Sequence, residues 1–81
     1  MSSRFSSIHD DRQNVFELQS MLREIGKFTE GIDLINPDGL FLTETTKAIR
    51  DIQTFLGLNP TGEVDLETWN GILERFRHNQ A

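Results

Sequence analysis

The chain has 81 residues, no cysteine and a net charge of −5. That length bounds it to one small domain, and the missing cysteines exclude disulfides, thiolate metal sites and a cysteine nucleophile. Acidic residues are spread along the chain with no basic stripe, so nucleic acid is excluded as a partner, and no apolar run is long enough to span a membrane.

Residues 1–10 are Ser-rich and aperiodic, and they read as a loose, flexible N-terminal arm ahead of a domain at 11–79. Phe5 and Ile8 offer apolar groups to pack back, but no spacing demands it. Met1-Ser2-Ser3-Arg4-Phe5-Ser6-Ser7 lacks the hydrophobic segment of a signal peptide. The chain therefore stays inside, leaves by another route, or is a piece of a longer exported protein.

Asp10 and Asp11 are N-cap candidates for a first helix that runs to about Ile25. Val15, Leu18, Leu22 and Ile25 make one apolar face, widened by Met21. Gly26 is expected to end the helix in the left-handed conformation. Residues 26–36 form the longest connection. Its Phe28, Ile32, Leu34 and Ile35 predict a loop packed on the core, and such a loop is a usual place for function.

Asn36-Pro37-Asp38-Gly39 is a turn with a mechanism. Pro fixes φ, Asp bonds the backbone ahead, and Gly permits positive φ. Thr43 is the expected cap of a second helix that reaches about Leu56, with Ile49, Ile52, Phe55 and Leu56 inward and Gly57 closing it. The pattern then repeats. Pro37-Asp38-Gly39-Leu40-Phe41 is echoed by Pro60-Thr61-Gly62-Glu63-Val64, and Thr45 by Thr68. Asp65 is a better cap than its counterpart Leu42. The third helix is expected from about Leu66 to Phe76, with Trp69, Ile72, Leu73 and Phe76 inward and Asn79-Gln80-Ala81 frayed. The fold class is therefore all-α: a small three-helix bundle with an internal turn–helix repeat.

Single residues read first as structure. Trp69 belongs with the core rather than on a sugar ring. Phe41 plugs the space between turn and helices. Asp38 stabilises its own turn in preference to binding an amine. Gln19 and Gln53 are expected to satisfy backbone groups of the turns. His9 and His78 lack the spacing of a metal pair, so no metal and no cofactor is expected. No carboxylate sits in an apolar context that would make it a general acid, and no catalytic residue is assigned.

The ordered set Leu18-Gln19, Asp38-Gly39-Leu40-Phe41, Thr45, Ala48-Ile49, Ile52-Gln53, Gly62-Glu63-Val64-Asp65-Leu66-Glu67-Thr68-Trp69 and Leu73 resembles the peptidoglycan-binding-like domain, a three-helix module of bacterial and phage cell-wall proteins. The likeness covers roughly residues 13–76. Leu42 stands where that family has a second Gly, and Ile52 where it has Phe. The connection before the first turn is longer than in the compact family pattern. The resemblance implies a non-catalytic module that binds peptidoglycan and carries an attached or partner protein, such as a wall hydrolase, to the wall. The alternative is a protein–protein interaction or structural module on the same scaffold, in phage or spore assembly. If the first reading holds, the long loop and the adjoining turn offer a groove. Lys27 would supply a cation there, Phe28 an aromatic face, Asn36 an amide and Asp38 a carboxylate. A muropeptide presents sugars, carboxylates and amines to match.

Overall fold

The structure is a computed structural model, and it describes residues 11–80. The expected arm at 1–10, with Phe5, Ile8 and His9, lies outside the described residues, as does Ala81. Three helices follow in order: α1 (Arg12–Gly26), α2 (Thr43–Phe55) and α3 (Leu66–Gln80), with no strand among the described residues. None is long and apolar enough to cross a membrane.

α1 begins where the acid cap predicts. The Asp11 carboxylate accepts from the N–H groups of Gln13 (3.0 Å) and Asn14 (3.1 Å), satisfying two donors that the first turn leaves open. Val15, Leu18, Leu22 and Ile25 are fully buried. With Ile32, Ile35, Ala48, Ile49, Ile52, Val64 and Ile72 they make the core, and Met21, Phe41, Leu56, Trp69 and Phe76 close over its edge. Trp69 and Phe41 thus take the packing roles that the sequence indicates. α1 packs most closely on α3.

Gly26 does not end α1 in the left-handed region. It lies inside the helix, and Lys27 caps it in right-handed geometry. The reason for glycine is close approach. A Cβ on Gly26 would come within 3.1 Å of Leu34 Cδ2 and 3.3 Å of the Ile32 carbonyl oxygen. The loop is pressed down there by Ile32 and Ile35, both buried. Phe28 and Leu34, expected to pack, are instead exposed, Phe28 by 67%. Ile32 and Ile35 suffice to pin the loop, so Phe28 faces solvent and Leu34, which lies against Gly26, keeps about half of its surface open.

α2 also departs from expectation at its start. The N-cap is Leu42 rather than Thr43, and no side chain caps the helix. Its inner stripe is Thr45, Ala48, Ile49, Ile52 and Gln53, with Leu56 half-buried below. Phe55 lies about a quarter-turn off that stripe at a helical advance of about 100° per residue. It is therefore 47% exposed rather than inward. The end of α2 is as expected: Gly57 has φ 78°. Its N–H bonds the Thr54 carbonyl (3.1 Å), and that of Leu58 bonds the Gln53 carbonyl (2.8 Å), the paired closure of a Schellman motif. Asp65 caps α3 through the Thr68 N–H (2.8 Å). α3 runs past Phe76 to Gln80, farther than predicted, with Arg77 and His78 favourably placed against its negative end.

Candidate functional site

Two buried glutamines organise the turns that carry α2 and α3. A glutamine amide offers two N–H donors and a carbonyl with two lone pairs. Gln19, on the inner face of α1, uses all of them. Its Oε1 accepts from the N–H groups of Asp38 (2.9 Å) and Gly39 (2.8 Å). Its Nε2 lies 2.8 Å from Thr45 Oγ1, 3.0 Å from the Leu40 carbonyl and 3.1 Å from Asp38 Oδ1, so two hydrogens serve three acceptors. Gly39 completes the turn with φ 79°.

Asp38 joins the same network. Its Oδ1 also accepts from the Leu40 N–H at 2.9 Å, an Asx-type turn. The Leu40 N–H, and after it the Gln19 amide, hold the Asp38 carboxyl below its ordinary pKa. The turn is tied to α1 a second time by Arg12 Nη2, which donates to the Asp38 carbonyl at 3.3 Å. Structure therefore claims one of the Asp38 oxygens before any ligand does.

The second turn is built the same way from α2. Gln53 Oε1 accepts from the Gly62 N–H (2.9 Å). Its Nε2 donates toward the Glu63 carbonyl (2.9 Å), Thr68 Oγ1 (2.9 Å) and Thr61 Oγ1 (3.2 Å). Thr61 replaces Asp38, and its hydroxyl accepts from the Glu63 N–H at 3.1 Å. The expected task of both glutamines, satisfying turn backbone, is what the geometry shows.

The two turns differ at the surface. Beside the first lies a depression of about 270 Å³ whose rim includes Asn36, Asp38, Leu40, Leu42, Thr43 and Glu44. It opens at the start of α2, where first-turn N–H groups lack a side-chain acceptor. Leu42 there is 62% exposed. At the second turn the equivalent residue is the capping Asp65, whose carboxyl its bonds to Thr68 hold below the ordinary value.

Of the four sequence-predicted residues, Asn36 and Asp38 come together on this rim. Asn36 Oδ1 accepts a long bond from Arg23 Nη1 (3.4 Å), which also donates to the Ile35 carbonyl (3.0 Å). Lys27 and Phe28 belong to a separate depression of about 410 Å³ formed by residues 26–32, so the four do not line one groove. Lys27 is paired with Glu24 at 2.8 Å. The Thr29 hydroxyl beside them is buried without a partner. The sequence marks Leu42, against Asp65, as a place where the first turn departs from the second, but Thr43 and Glu44 escaped as rim residues. The available signal was Leu42 itself, an apolar residue at a position that favours Asp, Ser or Thr.

Among the described residues no three His, Asp or Glu gather as a metal site. The two carboxyls with resolved shifts, Asp38 and Asp65, both move downward, opposite to the direction a general acid needs. A family model described as "Putative peptidoglycan binding domain" matches residues 11–72, more than half of the chain, with α1, both turns, α2 and the first half of α3. No curated protein and no solved structure matches.

Proposed function

The chain belongs to the peptidoglycan binding domain family, and we propose that it is a non-catalytic module that holds an attached or partner protein at the cell wall. The family match across α1, both turns, α2 and the first half of α3 carries this reading. Holding an enzyme near an insoluble polymer raises its effective concentration there without adding chemistry. The net charge of −5 makes adsorption to anionic wall polymers unfavourable, so contact is short-range and specific.

The contact face in this reading is the first-turn side of the molecule. Asn36 and Asp38 receive polar groups of a muropeptide at the uncapped start of α2, and Lys27 and Phe28 form a neighbouring patch for a second unit of the polymer. A protein partner in place of the wall is the second reading. It is favoured by the exposure of Phe28, Leu34, Leu40 and Leu42, apolar side chains that a protein surface would cover.

Co-sedimentation with purified insoluble peptidoglycan at moderate salt tests the proposal. The domain is expected to pellet with the wall and a control protein of similar charge to stay in solution. Equal pelleting of the two would refute wall binding. A fall in turbidity of the same suspension would refute the non-catalytic part.

A further inference from the structure

A third depression, of about 360 Å³, lies where the end of α2 meets α3 and is lined by Leu56, Gly71, Glu74, Arg75 and His78. It shares no residue with the two depressions described above. Arg75 and His78 also fall beyond residue 72, where the family match stops.

Arg75 is its most informative wall. The guanidinium carbon sits 5.1 Å from the centre of the Phe55 ring, within range of cation–π attraction. Phe55, turned outward by its position on α2, is thereby partnered at the surface. A guanidinium stacked in this way is a planar fork already held in place, so less freedom is lost when it meets a planar anion. Yet Arg75 takes part in none of the ion pairs among the described residues. Its Nε is buried with no hydrogen-bond partner. One turn along the same face, Asn79 Nδ2 is buried and unpartnered as well. Buried donors left without acceptors are costly and uncommon in folded proteins. Two on one helical face, Arg75 lining the depression and Asn79 next to its wall residue His78, point to an acceptor supplied from outside.

The floor fits the same purpose. Gly71 stands in the interior of α3, where glycine weakens a helix. A Cβ there would lie 2.7 Å from Leu56 Cδ1, so glycine lets Leu56 close the bottom with apolar surface. Glu74 is the one carboxylate among the lining residues.

We propose that this depression binds a short peptide through its free carboxylate. The carboxylate pairs with the Arg75 guanidinium, Asn79 and His78 flank it, and Glu74 receives an ammonium group of the same ligand. The negative end of α3 opposes an anion placed beside its last turn. A charge-assisted, two-pronged guanidinium–carboxylate pair outweighs it. That the carboxylate belongs to a wall stem peptide rests on the proposed function; the site itself does not.

The test is an amide-shift titration of the whole chain with a soluble disaccharide-tetrapeptide muropeptide, run against the same compound with its carboxylates amidated. The free acid is expected to move the amides of Gly71, Glu74, Arg75 and His78, and the amidated form to leave them in place. Arg75→Lys, which keeps the charge and loses the fork, should weaken the acid by about tenfold or more while the helical circular dichroism is unchanged. Phe55→Leu, which removes the stacking partner and keeps the arginine, should weaken it less. Equal shifts from acid and amide, or unaltered binding by Arg75→Lys, would overturn the site. Wall pelleting without these shifts overturns the site and leaves wall binding standing. These shifts without wall pelleting uphold the site and remove the wall as its source.

Discussion

The first turn, Pro37 to Leu42, and the second, Pro60 to Asp65, are two executions of one design. Each hangs from a buried glutamine of the preceding helix, crosses a glycine at φ near +80°, plugs the core with Phe41 or Val64, and feeds a helix through a buried threonine. They part at the surface. The second turn finishes its helix with the Asp65 cap and puts Glu63 beside it. The first puts Leu40 and Leu42 at those places and leaves α2 uncapped. Folding alone would favour the second solution at both sites, since an acid cap stabilises a helix by about 1 kcal/mol. The first turn therefore leaves unmet hydrogen bonding and exposed apolar surface where a ligand could use them.

The strongest way to break the comparison is to remove the glutamines. Gln19→Leu strands the Asp38 and Gly39 N–H groups and the groups facing Nε2. At about 1–3 kcal/mol per buried unsatisfied group, partly relieved by water, the expected loss is about 3 kcal/mol. That is a large share of the total of about 5 kcal/mol that suits a domain this small. Gln53→Leu strands one backbone N–H rather than two, so its loss should be smaller. Urea midpoints check the order, and a larger loss at Gln53 would show that the turns are not held by equivalent means.

Next come the turn glycines. Both conformations disfavour a side chain, so Gly39→Ala and Gly62→Ala should each cost about 1–2 kcal/mol. A Cβ on Gly39 meets the Arg12 carbonyl oxygen at 3.1 Å, whereas one on Gly62 meets the Thr46 and Arg50 side chains. Backbone yields less than side chains, so the Gly39 variant should unfold at the lower urea concentration.

A smaller effect sharpens the contrast. Leu42→Asp writes the cap of the second turn into the first. It should raise stability by about 0.5–1 kcal/mol while weakening wall binding. Asp65→Leu should lose about 1 kcal/mol and leave wall binding unchanged. Thermal melts and co-sedimentation of the same two proteins check both halves.

Acid should give the smallest difference. The carboxyls of Asp38 and Asp65 are both lowered in the folded state. Their contribution is complete above the unfolded carboxyl pKa of about 3.9 and is lost as pH falls through the lower folded values. Asp38→Asn and Asp65→Asn should each reduce the slope of melting temperature against pH below about pH 4. An unchanged slope in either would remove that carboxyl from the account.

The fold was legible because its signals are local and repeated. Asp11 and Asp65 are caps, Gly57 closes α2, and Val15 to Ile25 keep one face. Gln19 and Gln53 could be assigned to turn backbone from their chemistry alone. What escaped depends on tertiary distance. Gly26 is glycine because Leu34 comes down on it, which no local pattern states. Phe28 and Leu34 are apolar yet exposed, because Ile32 and Ile35 already anchor the loop. Phe55 is turned outward, under Arg75. For the site, the rim of Asn36 and Asp38 followed from the turn. The gap between that rim and Lys27 and Phe28 did not, because loop length says nothing about which way a loop folds.

The account turns on the first turn being the wall-contacting copy. Backbone amide shifts of the labelled chain during titration with a soluble muropeptide test this most directly. The prediction is movement at Lys27, Phe28, Asn36 and Asp38, with Thr61, Glu63 and Asp65 unmoved. Movement at the second turn with a silent first turn would contradict it.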